Sequence, residues 1–290
     1  MTESNGVFRE RVTAERIAEE GPAAVDMHFH TNHSDSHTTV AAALRRAKRL
    51  GVGVAITDHN TISGSEEAYL SGSGVLVVPG IEVSAADGPH ILLYFYDLDS
   101  MRDYYERHVR PYKRSSPYLA IGLDTSEIVR RSAGYSCVRV AAHPYGYLFF
   151  NKGLQKCIEA RYLEQSILER FDGVEVMCGG MTRKLNDRAA ALAERFLKGR
   201  TGGTDGHLLH DLGNVVTVGP SEDLDGFLGD VVERRSKVVG KEKTNLQKTV
   251  MGSVVMTKYI RYTLPSLRIH YEQNAPRARR LLRDLRARGR

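Results

Sequence analysis

No run of apolar residues in this 290-residue chain approaches the roughly 18 that a membrane span requires, so a transmembrane protein is not expected. The first 25 residues carry acidic side chains throughout and hold no apolar segment of the leader type, which argues against a secretory signal. Cysteine is scarce. Cys137, Cys157 and Cys178 lie far apart with no Cys-x-x-Cys spacing, a distribution that excludes a disulfide framework or a zinc ribbon and suits reduced thiols in a cytoplasmic protein. Missing as well are a Gly-x-Ser-x-Gly elbow, a P-loop and a Gly-x-Gly-x-x-Gly fingerprint, so no protein nucleophile or glycine-rich phosphate loop is indicated.

What is present is ordinary globular material, 41% hydrophobic and 26% charged, long enough for one large α/β domain or one domain with an appendage. The net charge of +6 is unevenly placed. Residues 265–290 hold eight Arg against Glu272 and Asp284, so the other 264 residues sum to zero. The basic character therefore belongs to the C-terminal end and not to the body.

Histidine carries the informative pattern. Ala23, Ala24 and Val25 read as a short buried strand running into Asp26-Met27-His28-Phe29-His30-Thr31-Asn32-His33-Ser34-Asp35. Alternate strand residues share a face, so His28 and His30 point the same way, with Asp35 in the loop that follows. Two imidazoles and a nearby carboxylate form a metal-ligand cluster. Downstream, a helix capped by Thr13 is expected over 14–20, and one capped by Thr38 or Thr39 with Val40, Ala43, Leu44, Ala47 and Leu50 on one face. Strands are expected over 52–57, 75–78, 90–96, 137–142, 173–177 and 215–218, with another entering Gly202-Gly203. Helices are expected from Asp124 or Thr125 to Gly134, and over 154–169, 183–198 and 223–235. The alternation argues for parallel βα units in a barrel or a doubly wound sheet. His28/His30, His59, Glu82, His143 and Asp205/His207 all fall at or just after the C-terminal end of an expected strand. In a parallel barrel those ends share one rim, where active sites form.

The segments DMHFHTNHSD, ITDHNT, PGIEVS, GPHILLYFYD, AAHPYG and GGTDGH resemble the successive motifs of the PHP (polymerase and histidinol phosphatase) family of metal-dependent phosphoesterases, in the family's order and over about residues 24–240. The resemblance implies a distorted (β/α)7 barrel, here with a C-terminal helical extension, and two or three divalent metals at the strand C-termini. Carried over motif by motif, the ligands would be His28, His30, Asp35, His59, Glu82, His90, His143, Asp205 and His207, with Glu82 as the bridging carboxylate. Six imidazoles and three carboxylates suit Zn, Mn or Fe and exceed what one tetrahedral ion takes. Such metals would make hydroxide near neutral pH for attack on a phosphate ester. Two motifs depart from the family pattern: Ser36 stands where the first motif usually has glycine, and Thr-Asp-Gly-His stands where Ser-Asp-Ala-His is common.

Three further candidates accompany the ligands. Asp58 could orient a ligand histidine, His33 (or His37) could protonate the leaving group, and Arg183 could pair with a phosphate dianion. A basic, tyrosine-rich stretch over 101–136 (Tyr104, Tyr105, Tyr112, Tyr118) could face phosphate or bases, or could simply cover the core. An amphipathic helix is expected over 243–262, broken by Pro265, and Pro276 is expected to start a last helix with Leu281, Leu282 and Leu285 on one face. Its arginines could contact nucleic acid, or its leucines could pack on the body. The chain is thus expected to comprise an N-terminal lead-in (1–22), a PHP-like domain (23–240) and a helical extension (241–290). The activity expected is hydrolysis of a small phosphorylated metabolite or nucleotide. A nuclease trimming DNA or RNA ends is the alternative, and a non-catalytic scaffold a more distant one.

Overall fold

In the computed structural model, which describes residues 6–146 and 152–288, the alternating strands form a single ten-stranded sheet. Side chains are described throughout those residues except at Pro276 and from Arg280 onward. In chain order come β1 (Val7–Phe8), α1 (Ala14–Glu20), β2 (Ala23–Phe29), α2 (Val40–Leu50), β3 (Gly53–Ile56) and α3 (Ser63–Leu70). Next are β4 (Val77–Ser84), β5 (His90–Phe95), α4 (Leu98–Tyr104), α5 (Thr125–Ser132), β6 (Cys137–Ala141) and α6 (Leu154–Glu159). The remainder is β7 (Gly173–Cys178), α7 (Arg183–Arg195), β8 (Gly199–Gly203), β9 (Val215–Gly219), α8 (Leu224–Val232), β10 (Lys237–Gly240), α9 (Asn245–Tyr259) and α10 (Thr263–Arg288).

The strand order is β1-β10-β9-β2-β3-β4-β5-β6-β7-β8. β2, β3 and β4 run parallel, as do β6, β7 and β8, but β5 is antiparallel to both of its neighbours. Only residues 85–89 join β4 to β5, too few for the crossover that a parallel neighbour requires. The sheet curls until its last strand returns to β2. The His30 N–H donates to the Gly206 carbonyl (2.9 Å), and the Thr204 N–H donates to Asp26 Oδ1 (2.9 Å). Glycine makes this approach possible: a Cβ on Gly203 would stand 2.4 Å from the Cβ and N of His28.

Local sequence explains the helix ends. Thr13 Oγ1 accepts from the Arg16 N–H and Thr39 Oγ1 from the Ala42 N–H, while Gly51 closes α2 in the left-handed region at φ 67°. Val40, Ala43, Leu44 and Ala47 of α2 are buried against β2 and β3, whereas Leu50, at the helix end, stays 39% exposed. A second cluster joins Val25, Met27, Ala55, Leu92, Tyr94 and Val140 to Phe227 and Leu228 of α8. Each fully buried Val, Leu, Met or Phe side chain here contributes about 1.5–3 kcal/mol.

Four expectations change. The helix expected over 154–169 stops at Glu159, Arg161 takes a positive φ of 58°, and a separate 3-10 turn covers Gln165–Arg170. Pro265 does not break a helix. It lies in the first turn of α10, where its missing N–H is not needed, after a 3-10 turn at Ile260–Tyr262. Helix α10 then continues through Pro276 without a fresh start. Of the apolar face expected on the preceding helix (Leu246, Val250, Val254, Val255 and Ile260), Leu246, Val250 and Ile260 are exposed, and the helix turns Met251 and Tyr259 inward instead. The tyrosines over 101–136 cover the core: Tyr104 is fully buried, and Tyr105 and Tyr112 pack against the same cluster. No described helix is long and apolar enough to cross a membrane.

Candidate metal centre

The curl of the sheet gathers one set of polar side chains at one rim. His28 is the penultimate residue of β2 and His30 lies just beyond its end; Asp35 comes from the loop that follows, and His59 from the turn after β3. Glu82 lies within β4, His143 follows β6, and Asp205 and His207 follow β8. His90 reaches the same rim from the first residue of β5, because that strand runs the other way. All nine are buried. Glu82 is their centre: its carboxylate oxygens lie 2.8 Å from Nδ1 of His59 and of His90, 3.2 Å from Nε2 of His143, and 3.5 Å from Nε2 of His28 and His30. Asp205 Oδ1 is 3.2 Å from His30 Nε2 and 3.6 Å from His28 Nε2; Asp35 is 3.1 Å from His207 and 3.6 Å from His59.

Burial disfavours charge on Asp35, Glu82, Asp205, His28, His30, His90 and His207, and their pairing decides the outcome. Imidazoles hold Glu82 and Asp205 well below the ordinary carboxylate range despite burial, and Asp35 is lowered in the same way. Burial also opposes a proton on His28, but Glu175, Glu82 and Asp205 outweigh it and push this histidine well above its usual value. At His30 and His90 burial wins, and both fall to about 3. Two observations show that the set suits cations. His28 Nε2 and His30 Nε2 face each other at 3.2 Å, and the buried Glu82 Oε2 accepts no hydrogen bond. Such a convergence of lone pairs fits divalent metals of borderline softness. Three groups have ligand atoms within 4.8 Å of one another: His30, Asp35, His59 and His207; His28, His30 and Asp205; and His59, Glu82 and His90.

Comparison with known families decides what this arrangement belongs to. The PHP domain family matches residues 26–208, and the PHP-associated family matches residues 183–236. The chain belongs to the PHP family. A comparison with curated proteins finds no match. Among solved structures, the PHP chain resembles a candidate metal-dependent phosphoesterase from Bifidobacterium adolescentis (22% identity, TM-score 0.53, 72% of this chain and 96% of that one). It also resembles Endonuclease Q in complex with a 27-mer duplex carrying an abasic lesion (17%, 0.60, 76% and 60%). A third likeness is to the lesion-specific endonuclease from Pyrococcus furiosus (17%, 0.57, 74% and 57%). At such identities these likenesses show the fold, and the chain spans under two thirds of either endonuclease.

Several supports of the PHP centre have no signature in the motifs. Glu175, mid-way along β7, accepts from His28 Nδ1 (3.0 Å) through one oxygen and from the His143 N–H (2.6 Å) through the other. His143 needs that anchor, since its φ of 26° is unfavourable for a residue with a Cβ. Asp26 accepts from the N–H and hydroxyl of Thr204 and from the Gly213 N–H, and burial raises its pKa to about 6. Lys243 Nζ donates to the carbonyls of Thr204 (2.6 Å) and Asp205 (3.1 Å), holding the turn in which Asp205 takes a φ of 45°. Tyr259 of α9 donates its hydroxyl to Asp35 Oδ2 (3.2 Å). A lone Glu inside Gly-Val-Glu-Val-Met-Cys was a readable hint; Lys243 and Tyr259 had none. The two departures from the family pattern are both used. Ser36 Oγ donates to the His207 carbonyl (2.7 Å), and Thr204 Oγ1 to Asp26 (2.7 Å).

The three other candidates lie outside this constellation. Asp58 accepts from the N–H (2.7 Å) and hydroxyl (2.6 Å) of Thr31 and from the Ser34 hydroxyl, so it shapes the loop that carries Asp35 and makes no bond to a histidine of the set. His33 turns to Ser63 (2.8 Å) and Glu67 (2.9 Å), and His37 to Thr257 (2.9 Å). Arg183 begins α7 and is exposed. Beside the cluster, α9 and α10 close over a cavity of about 580 Å³ whose lining includes Asp35, His59, His90, His143, Asp205 and His207. Helix α10 packs on the body through its described side chains, as far as Arg277. Arg277 donates to the Asp87 carbonyl and lies 4.6 Å from the Tyr162 ring centre, while Arg114 and Arg268 both pair with Glu272. The leucines at 281, 282 and 285 lie outside the described side chains.

Proposed function

We propose that this PHP-family protein is a metal-dependent phosphoesterase that hydrolyses a phosphate ester of a small metabolite or nucleotide. The observation that carries the reading is the roofed cavity: cluster residues line it, and α9 and α10 cover it, leaving about 580 Å³, a volume typical of small-molecule sites. His28, His30, Asp35, His59, Glu82, His90, His143, Asp205 and His207 would hold two or three divalent ions, Mn, Zn or Fe, around the central Glu82 carboxylate. When bound, such ions activate water near neutral pH and neutralise phosphoryl charge. The chain's own residues do the positioning. Glu175 keeps a hydrogen on His28 Nδ1 so that Nε2 faces the cluster, Tyr259 and Asp58 fix Asp35 and its loop, and Lys243 fixes the turn of Asp205. The cover shields part of the cluster from bulk water, which strengthens these electrostatic interactions.

A nuclease is the second reading, supported by the likeness to Endonuclease Q, whose solved complex holds duplex DNA, and by the arginines near the C-terminus. The roof argues against it, since a duplex needs an open approach. We divide the chain into a lead-in (1–22), a PHP domain (23–240) and a covering helical extension (241–290), and place the protein in the cytoplasm on the strength of three scattered, buried cysteines. The test is a panel of mononucleotides, nucleoside bisphosphates, sugar phosphates and end-labelled oligonucleotides, assayed with Mn²⁺ and after chelation. Metal-dependent phosphate release from the small esters is expected. Cleavage of oligonucleotides alone would overturn the reading in favour of the nuclease.

A further inference from the structure

The cavity has two chemically different ends. Its floor is the histidine and carboxylate cluster, and Lys152 adds a cation on that side: its carbonyl accepts from the His90 N–H (2.9 Å), and its charge helps depress His90 and His270. Its roof is mostly hydrocarbon, with Tyr259, Thr263, Ser266 and His270 as the polar side chains on that side. Leu119, Met251, Val255, Met256 and Leu267 face the space, and Gly252 leaves further room, because a Cβ built there meets nothing within 4 Å. Met256 and Leu267 remain 63% and 59% exposed, so the apolar wall continues outward at the mouth. The hydroxyls on this side are engaged within the protein, Ser266 with Ser116 (3.0 Å) and Thr263 with the Ile260 carbonyl (2.7 Å). They form no ring of free donors to recognise the hydroxyls of a sugar. Both roof helices lie beyond residue 236, outside the two family matches, so this feature belongs to the chain's own extension.

Building on the phosphoesterase reading, we infer that the substrate is an amphiphilic phosphate monoester, its phosphate on the cluster and a hydrocarbon or aromatic body beneath α9 and α10. In its hydrolysis the water oxygen bonds to phosphorus, the ester P–O bond breaks, and the apolar alcohol leaves with one proton. A sugar phosphate in the same place would set most of its hydroxyls against the side chains of Leu119, Met251, Val255, Met256 and Leu267, with few polar groups to meet them, which is unfavourable. Each methylene moved from water to the roof strengthens binding about fourfold.

The test is a ladder of ethyl, butyl, hexyl and octyl phosphates set against ribose 5-phosphate and AMP, with kcat/KM measured on the metal-loaded protein. The same alkyl chains as phosphonates, which are not hydrolysed, are titrated calorimetrically. Both kcat/KM and phosphonate affinity should rise by about fourfold per methylene until the chain outgrows the cavity. Gly252→Leu, which fills open space and raises helix propensity, should move the optimum to shorter chains and lower the hexyl-to-ethyl ratio at least about tenfold. A flat ladder, a preference for ribose 5-phosphate or AMP, or an unaltered ratio in Gly252→Leu overturns the inference while leaving the phosphoesterase reading in place. Failure to release phosphate from any ester overturns both.

Discussion

Replacing Glu175 by Gln is the sharpest probe of how the centre is held. The carboxylate accepts two hydrogen bonds, from His28 Nδ1–H and from the His143 N–H, and an amide of the same shape can accept only through its oxygen. The His143 N–H is always a donor, so the amide oxygen must turn to it. The amide NH2 then faces His28 Nδ1 and demands a lone pair there, which shifts the imidazole hydrogen to Nε2, the nitrogen that faces Glu82 and Asp205. The opposite orientation sets two donors against each other beside a residue whose backbone is already at φ 26°. Either way one ligand nitrogen or one buried N–H is lost, a cost of roughly 1–3 kcal/mol. Loss of such a partner typically lowers metal affinity or activity about 10- to 100-fold, equivalent to ~1.4–2.7 kcal/mol. Chelator competition and kcat/KM at fixed free Mn²⁺ measure this, with excess metal restoring part of the activity. If Glu175→Gln binds metal within about twofold of the parent, the carboxylate only fills space and the argument from tautomer control is refuted.

Other variants probe separate links. Tyr259→Phe removes the hydroxyl that α9 donates to Asp35, and metal affinity should fall roughly tenfold; an unchanged chelator competition would sever the extension from the centre. Asp58→Asn keeps its shape and the oxygen that accepts from the Thr31 N–H and the Ser34 hydroxyl, but sets an NH2 in place of the Oδ2 that accepts from the Thr31 hydroxyl and removes the charge from all three bonds, so unfolding in urea should show a loss of about 1–3 kcal/mol, and a midpoint that does not move would contradict the role assigned to that turn. Burial pushes Cys137 and Cys157 up to about 11 and Cys178 well above its usual value, so at pH 8 the native protein should show no fast reaction with a thiol reagent. All three thiols should titrate in denaturant, and one fast native thiol would show that its packing is looser than described.

Local patterns revealed much of this architecture because they are set by local chemistry. Thr13 with Gly21, and Thr39 with Gly51, bracket their helices by capping alone, and the face of α2 follows from spacing. The convergence of separate motifs could be foreseen because most ligand-type residues leave strand ends. His90 fits only once the short link after Ser84 reverses β5, a matter of loop length and not of the histidine itself. Glu175 is tertiary: a lone Glu in an apolar strand hints at a buried partner, but does not say that the partner is a histidine 147 positions away. Pro265 misled for another reason, since a proline in a first turn is tolerated, and where the helix begins is fixed here by the turn at Ile260–Tyr262; the passage of α10 through Pro276 has no such account. The covering role of α9 and α10 had no local sign either, because it lies in which neighbours Met251, Tyr259 and Ile269 meet across the fold.

The central claim is that nine buried side chains from separate stretches jointly hold divalent metal that the reaction requires. The most direct measurement is the divalent metal content per chain of the purified protein, by mass spectrometry of the elements, beside that of His30→Ala. His30 belongs to two of the three ligand groups, so the parent should carry about two or more ions and the variant should lose most of them. A parent preparation that takes up no stoichiometric Mn, Zn or Fe even after incubation with each, or a His30→Ala protein that retains the full complement, would contradict the account.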